Sequence, residues 1–554
     1  MAYQNAQLSS TRRTQLPSPW TGGALVIAAL VLMPILSVLW IAANPQESIW
    51  GHLMATSLPR YFNHTMVLML SVGLLSAAIG TVTAWLVVSY HFPGKRWLEW
   101  ALLFPLAVPG YLGAYALVDF LEYAGPVQTA MRTTFGWTSA RDYFFPDIRS
   151  LYGAIFILTL SLYPYVYLLA RAGFREQSGR AHEVARALGA GAFARFFRIG
   201  LPLARPAIAA GAAIVMMETV NDFGTVDFFG VQTLTTGIFT VWLEANNAGG
   251  AAQIACIILV IILALVAVEK ISRRRVRFHR MARQDRRIEP IALRGAPATL
   301  VTMACFLPFL LGFVLPVAVL GHHAVGAPER WLASGLISAL ANTVFVGAAA
   351  ATLTVVAALF LVYAVRLSGR TLPRLLLPFT TIGYAAPGAV LALGLLIPLA
   401  AFDNLVADGI LALTGFDPGL ILTGGAAVLV YAYTVRFFAI GQGAADAAFG
   451  RVSPTLSHAA RTLGRSAGGT LWHVYAPLMR GSVATALLLV FVDCVKELPA
   501  TLLLRPFNFN TLATRAHEQA SLEKIAEAAP SAILIILVSL AAVGLVARQM
   551  KVKS

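Results

Sequence analysis

Residues 183–202 read EVARALGAGAFARFFRIGLP, and residues 458–477 read HAARTLGRSAGGTLWHVYAP. Superposed at an offset of 275, Glu183, Gly189 and Pro202 fall on His458, Gly464 and Pro477. The same offset carries Glu218 and Asp222 onto Asp493 and Glu497. Two further pairs agree at an offset of 278: Pro109-Gly110 with Pro387-Gly388, and TLTT at 233–236 with TLAT at 511–514. Offsets held this steadily mark an internal duplication. The architecture is therefore to be sought twice in the chain.

Composition supplies the solvent in which each copy folds. Of 554 residues, 58% are hydrophobic and only 12% charged, where soluble domains carry roughly a quarter charged. A water-soluble chain of this length needs a charged skin that this one lacks. The apolar residues come in blocks, and about twenty of them cross the roughly 30 Å hydrocarbon layer as a helix. Blocks of that kind fall at 20–43, 65–90, 98–121, 151–173, 203–222, 251–269, 298–320, 336–365, 374–400, 418–441, 481–500 and 530–547. The reading is an all-α integral membrane protein with about twelve spans. The stretch from Trp20 to Ala43 exceeds a signal-peptide core of about 7–15 residues and is taken as a retained first helix.

The net charge of +16 would suggest nucleic acid in a soluble protein. Here the basic residues punctuate the apolar blocks, which suits orientation in a bilayer. Arg12 and Arg13, Lys95 and Arg96, Arg171 to Arg205, Arg366 to Arg374, Arg436 to Arg480, and Arg548 to Lys553 alternate with loops poorer in Lys and Arg. Between Arg205 and Lys270, and between Arg374 and Arg436, there is none. Both termini are expected on the cytoplasmic side, with an even number of spans. Residues 270–294 carry one Lys and nine Arg and read as a cytoplasmic linker at the anionic leaflet, with no nucleic-acid partner expected. The expected divisions are a first half at 1–269, the basic linker at 270–297 and a second half at 298–554, with six spans in each half. Two halves of like orientation imply a pseudo-twofold axis along the membrane normal, with the pathway on that axis.

In each copy of the repeat, small residues would let a partner approach a short helix closely. Gly189 or Gly464 can end that helix in a left-handed turn. Pro202 and Pro477 suit the first turn of the membrane helix that follows. The first copy resembles the EAA loop of binding-protein-dependent ABC importer permeases: Glu183, Ala185, Gly189, Ile199, Leu201 and Pro202 match, and Val184 replaces an Ala. In the second copy Ala459, Ala460, Gly464, Val474 and Pro477 fit the frame, while His458 stands where the Glu would be. The resemblance implies two copies of a cytoplasmic ABC ATPase docked on these loops, a periplasmic substrate-binding protein, and a bacterial inner-membrane location. No GxxxxGK[ST] phosphate loop occurs in the sequence. ATP and Mg are thus expected on the partner, and this chain is expected to bind no cofactor and to be no enzyme.

The strings ETVNDFGTVDFFG at 218–230, TLTTGIFTVW at 233–242 and KELPATLLLR at 496–505 look like fused permeases that import ferric iron. Thiamine and phosphonate permeases are close relatives of that design. Independently, Glu218 and Asp222, and Asp493 and Glu497, are each four apart and would share a helix face. A charged side chain mid-membrane costs roughly 2.5–3.5 kcal/mol, so four symmetry-related carboxylates suggest transient contact with a hard cation. Structural pairing is the competing reading, because Lys496 adjoins Glu497 and Asp222 can sit at the outer interface. No stable metal site is expected: His322-His323 is read as ordinary outer-loop surface, and Cys256, Cys305 and Cys494 as inert thiols. A secondary transporter would share the repeats and carboxylates but has no use for paired docking loops. A membrane enzyme would need a constellation such as HExxH, which the chain lacks.

Overall fold

The computed structural model describes residues 19–274, 289–326, 328–368, 377–381 and 386–552. The core of the arginine-rich linker (275–288), the flanking charges Arg12, Arg13, Arg370 and Arg374, and Lys553 lie outside the described residues. Apart from a two-residue parallel pairing of Tyr90–His91 with Ile291–Ala292, the described chain is helical. That pairing pins the end of the linker beside the first half.

Ten helices are long and apolar enough to cross a membrane, and two bent pairs bring the total to as many as twelve. The chain is a multi-pass all-α membrane protein. The expected block at 98–121 is not one straight span: Lys95–Ala107 and Gly110–Phe135 meet at 94°. Pro105 and Pro109 explain the break, since each lacks an N–H and constrains the residue before it. The block at 418–441 is likewise bent, by 54°, between Ala427–Arg436 and Phe438–Gly450. The block at 374–400 is shifted, its described helix running Gly388–Thr414. Many residues on the outer faces are apolar and exposed, among them Trp40, Leu300, Ile337 and Phe345, as a lipid solvent requires.

Packing repeats along with the sequence. Leu58–Ser89, Leu151–Arg175 and Leu201–Asn221 pack on one another, and so do Leu336–Ser368, Phe438–Gly450 and Ala476–Val495. The first helix of each half leans on the other half: Pro19–Ala43 packs against Gly388–Thr414, and Leu315–Val325 against Gly110–Leu121. Backbone devices recur as well. Thr233 and Thr511 each head a helix with a capping box. The next amide, of Leu234 or Leu512, donates to Thr65 Oγ1 (2.9 Å) or Thr343 Oγ1 (2.8 Å).

Pro202 and Pro477 fall, as expected, in the first turn of the α-helices Leu201–Asn221 and Ala476–Val495. Short helical segments continue before them, so the apolar helical stretches run 30 residues (Ala192–Asn221) and 29 residues (Ala467–Val495). A π-turn precedes each proline, Phe196–Gly200 and Leu471–Tyr475, so that Leu201 bonds back to Phe196 and Ala476 to Leu471. The widened turn shifts the hydrogen-bond register just where the proline has no donor.

Candidate functional site

Two membrane helices stop short at matching places, Asn221 and Val495. Asp222 then turns back to cap the short helix Gly224–Phe228. Its Oδ1 accepts from Thr225 N (3.0 Å) and Val226 N (3.2 Å), and its Oδ2 from Thr225 Oγ1 (2.9 Å). Glu497 does the same for Pro499–Leu504, accepting from Ala500 N at 3.1 Å. The expectation that these carboxylates continue a helix face with Glu218 and Asp493 is therefore corrected: capping the next segment has pulled each off the helix.

All four carboxylates, Glu218, Asp222, Asp493 and Glu497, nonetheless line one cavity of about 170 Å³. Gly110 and Gly388 make its walls close. A Cβ on Gly110 would lie 2.8 Å from Thr225 Oγ1, and one on Gly388 would lie 2.5 Å from Glu497 Oε1. The N-termini of Gly110–Leu121 and Gly388–Thr414 thereby come up against carboxylates, a favourable arrangement for helix dipoles.

Two cations share the cavity. Arg436 Nε meets Glu497 Oε2 at 2.8 Å, with both side chains buried, and Lys496 Nζ meets Asp493 Oδ1 at 3.0 Å. Lys496 thus pairs one turn back rather than with its neighbour Glu497. Arg436, expected at the edge of a basic cytoplasmic segment, lines this cavity and closes the helix before the 54° bend. The repeat holds the signal that locates it, because the 275 offset maps Arg436 onto Ser161, mid-span in the first half. Ser161, Asn221 and Tyr111 also line the cavity, and sequence reasoning missed all three. Their Oγ, Oδ1 and Oη atoms are buried and have no hydrogen-bond partner among the described residues, a state that costs about 1–3 kcal/mol per group.

The repeated loops form the second candidate region. Gly189 (φ +83°) and Gly464 (φ +82°) adopt the expected left-handed turn. Each closes a Schellman motif: Ala190 N donates to Ala185 O and Gly189 N to Arg186 O, matched by Arg465 N to Ala460 O and Gly464 N to Arg461 O. Glu183 and His458 are both exposed, as is Ala459, whereas Ala460 is buried. Large apolar side chains stand out beside them, with Leu188 and Phe193 at 82% and 81% exposed and Leu463 and Trp472 at 84% and 74%.

The loops are anchored differently. In the first, His182 is buried beside Trp85 and bonds Gln177 (2.9 Å), whose Nε2 donates to Gly200 O (2.9 Å). Burial, and secondarily Arg195, holds the His182 pKa below its ordinary value. In the second, Tyr363 Oη donates to Ala467 O at 2.6 Å and its ring packs on Phe449 and Tyr475. Among the described residues no group of three or more His, Cys, Asp or Glu side chains could hold a metal ion. His323 lies on the helix Leu315–Val325, not in a loop, and pairs with Asp119 at 2.9 Å.

Residues 76–278 match the family described as the binding-protein-dependent transport system inner membrane component. The chain is 26% identical over 483 residues to the Fe(3+)-transport system permease protein FbpB 2 of Haemophilus influenzae, covering 86% of this chain and 87% of the relative. It is 29% identical over 201 residues to the molybdenum transport system permease protein ModB of Escherichia coli, covering 35% of this chain and 83% of that one. The sulfate transport system permease protein CysT of the same organism is 23% identical over 255 residues, covering 44% of this chain and 88% of the relative. Most of either shorter relative therefore corresponds to less than half of the present chain.

Proposed function

We propose that the chain, whose residues 76–278 match the binding-protein-dependent transport system inner membrane component family, forms the import pathway for ferric iron. It is a transport permease subunit of the ABC importer class rather than an enzyme. In this reading the two halves surround a pseudo-twofold axis along the membrane normal, and both termini are cytoplasmic. Each half presents one coupling loop to one of two ATPase subunits, where ATP and Mg are bound: Glu183, Ala185, Gly189 and Pro202 in the first, Ala459, Ala460, Gly464 and Pro477 in the second. A periplasmic binding protein delivers the cargo to the outer face.

The observation that carries the reading is the convergence of Glu218, Asp222, Asp493 and Glu497 on one cavity between short-stopped helices. Carboxylates are the ligands a hard cation prefers, and in a low-dielectric site their attraction is strong. Likeness to the Fe(3+)-transport permease along most of both chains supports the same cargo. An oxyanion is the second reading, favoured by Arg436 and Lys496 in that cavity and by the molybdenum and sulfate permeases among the relatives. The cation reading is preferred because both basic groups are engaged by carboxylates of their own wall.

The test is ATP-dependent uptake, resistant to ionophores, of radiolabelled Fe3+ against molybdate and sulfate. It uses cells expressing the chain with its ATPase and binding protein. Glu218→Gln combined with Asp493→Asn should lower iron uptake per folded molecule while leaving ATPase assembly intact. Unchanged uptake by that pair, or transport of an oxyanion instead, would remove the cation from the pathway.

A further inference from the structure

Tyr111, Ser161 and Asn221 all line one cavity and all come from the first half of the chain, and each carries a buried oxygen (Oη, Oγ and Oδ1) with no hydrogen-bond partner among the described residues. Their residues are deeply buried, at 5%, 4% and 4% exposure. Buried polar atoms are nearly always satisfied in folded proteins, so three orphans around one space call for a reason. Packing supplies none, because Phe, Ala and Leu would fill much the same volumes without stranding an oxygen.

The second half gives the contrast. At the repeat offsets, Ala389, Arg436 and Lys496 stand where the first half has Tyr111, Ser161 and Asn221. On that wall both carboxylates are held by cations, Glu497 by Arg436 and Asp493 by Lys496. That wall therefore offers no net negative charge to a cation entering the cavity. The first-half wall carries no basic side chain among the described residues: its polar side chains are the carboxylates of Glu218 and Asp222, the phenols of Tyr111 and Tyr165, the hydroxyl of Ser161 and the amide of Asn221. Hard cations choose such donors, and neutral oxygens beside a carboxylate hold them loosely enough for release.

We propose that Tyr111, Ser161 and Asn221, together with Asp222, form a transient oxygen-donor site for the cargo cation on the first-half wall. The site rests on the cation reading above. It makes transport through a duplicated chain one-sided, with the second-half wall serving as a fixed, internally neutralised support.

Uptake of radiolabelled ferric citrate by cells expressing the full importer tests this, alongside thermal unfolding of the purified chain. The triple variant Tyr111→Phe, Ser161→Ala, Asn221→Leu should lose about tenfold or more in uptake per folded molecule, with its unfolding midpoint unchanged or raised. Asn221→Lys, which copies the second half's residue onto the first wall, should lose at least as much. The near-isosteric singles Tyr111→Phe and Ser161→Ala should each fold and show a partial loss. Wild-type uptake by the triple variant, in a chain that does import Fe3+, overturns the site and leaves the cation reading standing. A lowered unfolding midpoint in both singles, with uptake per folded molecule intact, shows that the oxygens serve structural waters and also overturns it. Import of molybdate or sulfate in place of Fe3+ by the wild type overturns the site and the cation reading together.

Discussion

In the first half of the chain Asn221 precedes Asp222 and Ser161 lines the cavity; in the second, Lys496 precedes Glu497 and Arg436 stands at the place of Ser161. The backbone differs at one of these places, since Ser161 lies within the single helix Leu151–Arg175 whereas Arg436 ends a helix at the 54° bend, but other backbone devices recur. Both halves have the π-turn before a proline, the left-handed glycine after a short loop helix, and the threonine capping box. Backbone devices depend on a few residue types at fixed places, and a single change there disturbs a whole segment. Cavity side chains carry no such burden. A duplicated chain can therefore keep these backbone devices in both halves while one wall acquires cations and the other carries none among its described residues.

The sharpest break of this comparison is at Arg436. Arg436→Leu leaves the buried Glu497 without its 2.8 Å partner, and losing one member of a buried ion pair costs about 3–5 kcal/mol. The matching Ser161→Ala should cost less than about 1 kcal/mol or even stabilise, since it removes an orphaned hydroxyl. Chemical denaturation of the two variants in detergent measures the gap; equal losses would mean that Arg436 is not the structural counterweight of its wall.

At the loops the two halves should instead respond alike. Gly189→Val and Gly464→Val each place a β-branched residue at φ above +80°, a strain of about 1–2 kcal/mol. The double variant should insert normally yet hydrolyse ATP without transport. Normal uptake by it would end the assignment of these helices to coupling.

Asymmetry returns one turn earlier. In the proposed complex the Glu183 carboxylate can accept a charge-assisted bond from a basic group of the ATPase, whereas position 458 carries an imidazole in its place. Glu183→Ala is expected to weaken assembly by about 1 kcal/mol more than His458→Ala does. Pull-down of the ATPase by each variant gives the comparison, and equal losses would make the loops equivalent.

The smallest expected effect is one of pH. His182 is buried neutral, with its folded pKa below the unfolded value. The folded state thus binds fewer protons than the unfolded one in the window beneath about 6.5, and stability falls as pH drops through it. His182→Gln should flatten this part of the stability profile. If the slope below pH 6.5 persists in the variant, the pH sensitivity lies elsewhere.

Much of this architecture is legible from residues alone, for physical reasons that also mark the limit. Apolar blocks are long because the bilayer is thick, so the spans emerge from counting. Glu218, Asp222, Asp493 and Glu497 emerge because charge is costly in lipid. Arg436 escaped because a basic residue at the edge of an apolar block has the same signature as an orienting charge; only its image at Ser161 distinguishes the two. Tyr111, Ser161 and Asn221 escaped because uncharged polar residues inside a span cost little and follow no period. The bends at Pro105–Pro109 and at Phe437 were hidden for a related reason: composition measures how much apolar length there is, not whether it is straight.

The uninterrupted helix from Ala192 to Asn221 has a mechanical consequence. Thirty residues at 1.5 Å each make a rod of roughly 45 Å, with the exposed Phe193 near one end and the cavity at the other. If the end beside Phe193 is tilted by about 10°, the tip at Asn221 sweeps roughly 8 Å, several times the width of an ion. A lever of that length turns a modest rotation at its loop end into a displacement of several ångströms at the cavity.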